Sequence, residues 1–134
     1  MILVDTSVWI DFFNSASGPA SRELRRLIDE GGSVALTGIV VTEVLQGLSR
    51  KVNRIDSYIS RFAMLEPRGL SIFSEAAAIS RLARSKGFSL TTVDTLIAAI
   101  SIEHQAALFT LDKDFSPIAG FIPLRLHRLP APVN

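Results

Sequence analysis

"MILVDTSVWI", residues 1–10, decides how this chain is read. Ile2, Leu3 and Val4 form a short continuous apolar run, the pattern of a strand buried on both faces, and the run stops on Asp5. An ionised carboxylate at the edge of a core is costly unless something compensates it. Ser7 to Asn14 then has the spacing of a short helix, so the chain opens as strand, acid, helix.

Outward from that unit, short apolar runs alternate with amphipathic helices, which predicts an α/β domain with a mostly parallel sheet of about four or five strands flanked by helices. Pro19 to Glu30 is a helix with Pro near its start, Leu24, Leu27 and Ile28 at helical spacing, and Gly31 placed to end it. Val34 to Leu36 reads as a strand, and Ile39 to Leu48 as a helix with Val41, Val44, Leu45 and Leu48 on one face. Ile55, Ile59 and Phe62 mark a further helix within Ser49 to Phe62, and Leu70 to Phe73 a further strand. Ser74 caps a helix holding Ile79, Leu82 and Ala83 inside, with Gly87 at its end. Asp94 to Gln105 is a helix apolar nearly all round, hence buried on several sides. Ala107 to Leu111 and Phe121 to Leu126 supply the last strands, before a Pro-containing tail.

At 134 residues and 48% hydrophobic, the chain suffices for one covered core, so a single domain over 1–134 is expected. The absence of cysteine excludes disulfides and thiolate metal sites and fits a reducing cytoplasm. Asp5 and Asp11 interrupt the N-terminal apolar stretch, which has no basic leader, and no run reaches membrane-spanning length; no membrane association is expected. A net charge of +1 gives no bulk attraction to nucleic acid. Affinity of that kind would need bound metal or local patches, such as Arg22, Arg25 and Arg26 on one helix or Arg81, Arg84 and Lys86 on another.

Glu23, Asp29, Glu30 and Asp56 fall on solvated helix faces or ends, whereas four other acids interrupt hydrophobic sequence. Asp5 ends a strand, Glu43 sits inside "IVVTEVL", Asp94 opens "DTLIAAI" and Asp112 follows "ALFTL". Singly, Asp5 is readable as a helix cap, with Thr6 and Ser7 as equal candidates, and Asp94 as an acid favoured by the helix dipole. Glu43 has no such reading, since Ala or Leu would serve the helix as well. In open α/β sheets ligands bind beyond the carboxyl ends of the strands, where Asp5 and Asp112 both stand. Glu43 would reach in from its own helix, and Gly47, one turn on, would let another backbone approach that face. Gathered carboxylates require positive charge, and oxygen donors without His or Cys select hard cations, Mg²⁺ or Mn²⁺. "LDKDF" is also readable as a turn. It is no EF-hand loop, because Pro117 stands where glycine is needed. His104 and His127 read as surface or packing residues, and Trp9 as core.

Taken in order, Asp5 in "VDTSVWIDF", Glu43 in "TEVLQGL", Asp94 in "DTLIAAI" and Asp112 in "LFTLDKDF" resemble the four motifs of PIN-domain ribonucleases, most closely the VapC-like toxins of bacterial toxin–antitoxin pairs. The resemblance spans essentially the whole chain. It implies a PIN-like fold and an Mg²⁺- or Mn²⁺-dependent ribonuclease, with Asp5, Glu43, Asp94 and Asp112 as catalytic and metal-holding residues. Many relatives carry Asn at the position of Asp112, which leaves Asp114 as an alternative ligand; Asp112 is favoured. Thr6, Ser7 and Thr110 are expected beside the ligands or metal-bound water, with core capping as the competing role. The resemblance also implies an RNA substrate, a homodimer, and inhibition by a VapB-like antitoxin whose apolar helix would lie beside the pair formed by the Ser49–Phe62 helix and the helix of Glu43. The alternative from another class is a catalytically silent PIN-like module that binds RNA or protein. Such a module could lose acidic positions, and this chain retains all four.

Overall fold

The computed structural model describes residues 1–14, 17–48 and 50–131. Its elements run β1 (Ile2–Val4), α1 (Thr6–Asn14), α2 (Pro19–Asp29), β2 (Val34–Leu36), α3 (Gly38–Gln46), α4 (Val52–Ile59), β3 (Ala63–Met64), α5 (Ser71–Ser85), α6 (Thr92–Glu103), β4 (Ala107–Phe109) and α7 (Phe115–Ile118). The four strands form one sheet in the order β3-β2-β1-β4, every pairing parallel. β1 is central: Leu3 pairs with Ala35 on one side and Leu108 on the other, and Val4 pairs with Phe109.

The sequence accounts for this arrangement. Leu3, Val4, Ala35, Leu36, Leu108 and Phe109 are all at most 1% exposed, as a parallel sheet covered on both faces requires. α6 supplies part of that cover and is apolar on successive residues: Ile97, Ala98, Ala99 and Ile100 are all buried. The Ser101 hydroxyl donates to the Ala106 carbonyl at 2.8 Å, closing the turn that sends α6 into β4. Gly31 and Gly87 follow α2 and α5 with φ of 72° and 87°, the left-handed conformation that ends a helix at little cost in glycine. Trp9 is fully buried in the core, edge-on to Phe12 and stacked on Phe13.

The fold departs from the sequence reading at several places. Leu70–Phe73 is no strand. Ser71 is already helical, and Ile72, Ala76, Ile79 and Ala83 form one buried helical stripe, leaving Leu70 84% and Phe73 50% exposed. The helical period therefore extends back past Ser74. The remaining strand is Ala63–Met64, two exposed residues too short to show periodicity. Phe121–Leu126 reduces to a single parallel bridge between Leu126 and Leu108, held by Leu108 N–H on the Arg125 carbonyl and His127 N–H on the Leu108 carbonyl, both at 2.8 Å. Pro123, which has no N–H to give a ladder, stands in the middle of that segment. α4 is shorter than its expected Ser49–Phe62 span, and Ser49 lies outside the described residues. Val40 joins Val44 on the buried face of α3. At Gly47 a Cβ would meet the Glu43 carbonyl at 3.2 Å and Ile10 Cδ1 at 3.3 Å, so the neighbours are its own helix and a side chain rather than another backbone.

Strand order places the site. From β1 the chain moves to β2 and β3 on one side and returns to β4 on the other, so the connections leaving the carboxyl ends of β1 and β4 part there. That reversal opens the crevice in which open α/β sheets hold ligands.

Candidate active site

Asp5 follows β1 directly and is only 6% exposed. Its backbone carbonyl accepts from Val8 and Trp9 N–H at 3.1 and 3.3 Å, starting α1. Its side chain does something else: Oδ2 accepts from Thr110 Oγ1 at 2.7 Å and from Ser7 Oγ at 3.0 Å. The carboxylate is thus held by hydroxyls from the first helix and from the residue that follows β4. Thr110 Oγ1 also accepts the Asp112 N–H at 3.0 Å, and Ser7 Oγ the Leu111 N–H at 3.0 Å. Two hydroxyls therefore lock the end of β1 to the loop after β4.

In that loop, Asp112 Oδ1 accepts the Asp114 N–H at 2.9 Å, a local turn that brings the second acid round beside the first. Asp94 comes from α6. Thr91 caps this helix by accepting the Asp94 N–H at 3.1 Å, which places Asp94 in the first turn, two residues after the helix begins. Asp94, Asp112 and Asp114 each offer a carboxylate oxygen within 4.8 Å of the others. Burial holds the Asp94 carboxyl above its ordinary value of 3.8; a hydrogen bond from Thr91 opposes the rise, and the charges of Asp112 and Asp5 reinforce it. That is the electrostatic signature of negative charge gathered where water is scarce.

Glu43, half-buried on α3, accepts from Thr6 Oγ1 at 2.8 Å. Since Thr6 adjoins Asp5, Glu43 is tied to the start of α1. The structure thus links all five acids singled out in the sequence: three in direct proximity, Asp5 within electrostatic reach of Asp94, and Glu43 through Thr6. Asp114, the alternative ligand in the sequence, stands level with Asp112 in the cluster. Thr6, Ser7 and Thr110 each bond a carboxylate.

The basic patches fare differently. Arg26 is engaged by Glu23 at 2.7 Å and Glu30 at 2.6 Å, Arg25 lies over the Phe12 ring, Lys86 lies over Phe121, and Arg22 bonds the Ser17 carbonyl. Arg81 and Arg84 line a groove between α5 and α6 that also includes Thr92 and Thr95, flanking Asp94 in sequence. Glu23 corrects the solvated-face reading: it is 4% exposed, and Arg26 holds its carboxyl below the ordinary 4.5 against burial, with His127 helping at 2.7 Å. His127 packs its ring 5.0 Å from Phe109. No local pattern announces this pair, whose partners lie 104 residues apart. His104 is a packing residue, with Nε2 2.6 Å from the Glu66 carbonyl.

The PIN domain family profile matches residues 2–120. Ribonuclease VapC11 of Mycobacterium tuberculosis is 32% identical over 129 residues, covering 93% of this chain and 96% of the relative. Among solved structures, VapBC2 from Rickettsia felis, bound to a DNA fragment from its promoter, superposes with a TM-score of 0.75 at 23% identity over 95% of this chain and 98% of that one. A toxin–antitoxin complex from Klebsiella pneumoniae does so at 0.70 and 25% identity over 94% and 100%. With strand ends and helix starts converging on one acidic crevice, and likeness extending over nearly its whole length, the chain belongs to the PIN-domain family, among the VapC ribonucleases.

Proposed function

We propose that this chain is a metal-dependent endoribonuclease toxin, a single PIN domain over 1–134, that hydrolyses RNA phosphodiester bonds and is silenced by a VapB-like antitoxin. The observation that carries the reading is the convergence of Asp94, Asp112 and Asp114 within 4.8 Å at the sheet's switch point, beside a buried Asp5. An all-oxygen donor set with a carboxyl destabilised by its neighbours fits a hard divalent cation, Mg²⁺ or Mn²⁺. Asp94, Asp112 and Asp5 would hold it, with Asp114 as a further oxygen donor and Glu43 close by. When bound, the cation supplies an activated water and neutralises phosphate charge.

The protein's own groups set the geometry. Thr110 and Ser7 fix which Asp5 oxygen is spoken for, leaving Oδ1 free of these two bonds. Thr6 holds Glu43 in the same manner. These partners keep the ligands oriented before substrate arrives, which is worth 10–100-fold in comparable sites, by order of magnitude about that. No histidine is needed as a base, and both histidines are occupied in packing contacts.

The solved relatives support the partner reading, since the Klebsiella structure is a toxin–antitoxin complex. α4 packs on α3, and its Tyr58, with Phe62 and with Phe13 of α1, stays partly exposed above the buried Phe12 and Trp9, an aromatic ridge suited to an apolar helix. An Arg or Lys of the antitoxin reaching the carboxylates would take the cation's electrostatic place. Exposed Leu70, just before α5, and Phe73 in its first turn support a homodimer. Among the described residues no helix is long and apolar enough to cross a membrane, and the absence of cysteine fits a cytoplasmic setting. The test is a panel of structured RNAs incubated with purified protein and Mg²⁺, Mn²⁺ or EDTA. Discrete metal-dependent cleavage supports the reading, and equal cleavage in EDTA overturns it.

A further inference from the structure

Beside the acidic loop a groove is lined by Thr110, Asp112, Lys113, Ser116, His127 and Arg128. It shares Ser116, Leu126, His127 and Arg128 with a second groove that includes Arg125 and runs beside the end of α7 and the tail. The two grooves therefore border one another, and together they make a trough from Asp112 to the tail residues beside β4. Two of its cations are free to take up phosphate. Lys113 and Arg128 are exposed, and among the described residues neither enters an ion pair or covers an aromatic ring, whereas Arg25, Arg26, Arg61 and Lys86 are all so engaged. Two large apolar side chains line the same groove in the open, Leu111 at 44% and Leu129 at 40% exposure.

We propose that this trough is the track of a single-stranded RNA segment on one side of the cut, with Lys113 and Arg128 on its phosphates and Leu111 and Leu129 against its bases. The proposal rests on the ribonuclease reading and adds the direction in which substrate leaves the carboxylates. Charge layout supports it. The carboxylate cluster repels RNA until a cation bridges them, so the strand needs attraction from groups just outside the cluster, and unengaged cations at the trough's mouth supply it. The tail is placed firmly enough to serve. The Leu126–Leu108 bridge and the His127–Glu23 bond at 2.7 Å pin the two residues that lead directly into Arg128. Apolar contacts to bases and ionic contacts to phosphates carry little sequence information, so the trough should hold many sequences alike.

The test measures binding of a fluorescently labelled single-stranded RNA oligonucleotide by anisotropy, in the full chain carrying Asp94→Asn so that the probe stays intact. Lys113→Ala and Arg128→Ala should each weaken binding several-fold for unrelated sequences alike, and each should flatten the slope of log Kd against log salt by about 0.7. Arg61→Ala, an equal charge change at a residue engaged over Tyr58, should leave affinity and slope unchanged. Melting temperatures should be unaltered, both trough cations being exposed. Unchanged affinity and slope in both trough variants, or an equal loss in Arg61→Ala, overturns the proposal. Its fate is separable from that of the ribonuclease reading: RNA binding that depends on Lys113 and Arg128, in a parent chain that cleaves none of the RNA panel with either metal, supports the trough and sinks the nuclease.

Discussion

Thr110 shows how much of this site depends on one small side chain. Its hydroxyl gives its proton to Asp5 and accepts the Asp112 amide, so a single oxygen couples the ends of β1 and β4. Thr110→Val keeps the shape and removes both bonds. Metal affinity or cleavage should fall about 10–100-fold while the far-ultraviolet circular dichroism is unchanged; a full-strength enzyme would show that Asp5 needs no such orientation. Asp94 makes the complementary prediction. Its raised pKa means that the native state holds this proton more tightly than the unfolded chain does. Ionising it therefore costs stability, progressively, as pH rises from 3.8 through the raised value. Without metal at neutral pH, Asp94→Asn should melt no lower than the parent, and its advantage should shrink on acidification. A large drop in melting temperature would mark Asp94 as a structural acid. Asp5, Glu43, Asp94 and Asp112 were legible in the sequence because a carboxylate within apolar residues carries a solvation cost that local propensity does not repay. Glu23 was not, because its burial is made tolerable by Arg26 one turn on and by His127 from the far end of the chain.

At the level of elements, the Glu23–His127 bond ties α2 to the tail and, through the Leu126–Leu108 bridge, to β4. Glu23→Gln should destabilise the fold by about 2 kcal/mol near neutral pH, the loss expected when a charged acceptor with two donors is neutralised. The pH dependence has a definite sign. Glu23's pKa is lowered on folding, so its contribution is fully present above 4.5 and disappears as pH falls through the lowered native value. Denaturant midpoints of parent and variant should accordingly converge only below about pH 4.5; a gap that persists unchanged into strong acid would mean that the carboxylate charge is irrelevant. α1 to α6 were readable from spacing, and β1, β2 and β4 lie within their apolar runs, whereas the single turn of α7 is too short to show a period. Leu70–Phe73 misled because four apolar or small residues fit a buried strand and a helix start equally well, and only the downstream stripe of Ala76, Ile79 and Ala83 decides between them. β3 was hidden by its length, two exposed residues recruited by pairing with Ala35 and Leu36 rather than by their own pattern.

Across the whole molecule, the strand order β3-β2-β1-β4 turns a scattered set of acids into one crevice, because the two strands that end in them are neighbours. Nothing in local periodicity specifies that adjacency: the places of Asp5 and Asp112 at strand carboxyl ends point to a shared crevice, but not to which strands are neighbours. The opposite surface of α5 carries a second whole-molecule consequence. With Leu70 and Phe73 in solvent, light scattering should give twice the 14.6 kDa chain mass, and Phe73→Glu should return the monomer; a parent that is monomeric at high concentration would remove the homodimer from the account. A cation held by the carboxylate cluster and needed to cut RNA can be followed by titrating Mn²⁺ into one sample while recording both bound Mn²⁺ and the rate of RNA cleavage. Occupancy and rate should rise together in the parent chain, and both should be lost in Asp94→Asn. Cleavage that proceeds at zero occupancy, or Mn²⁺ binding and cleavage that survive intact in Asp94→Asn, would contradict such a site.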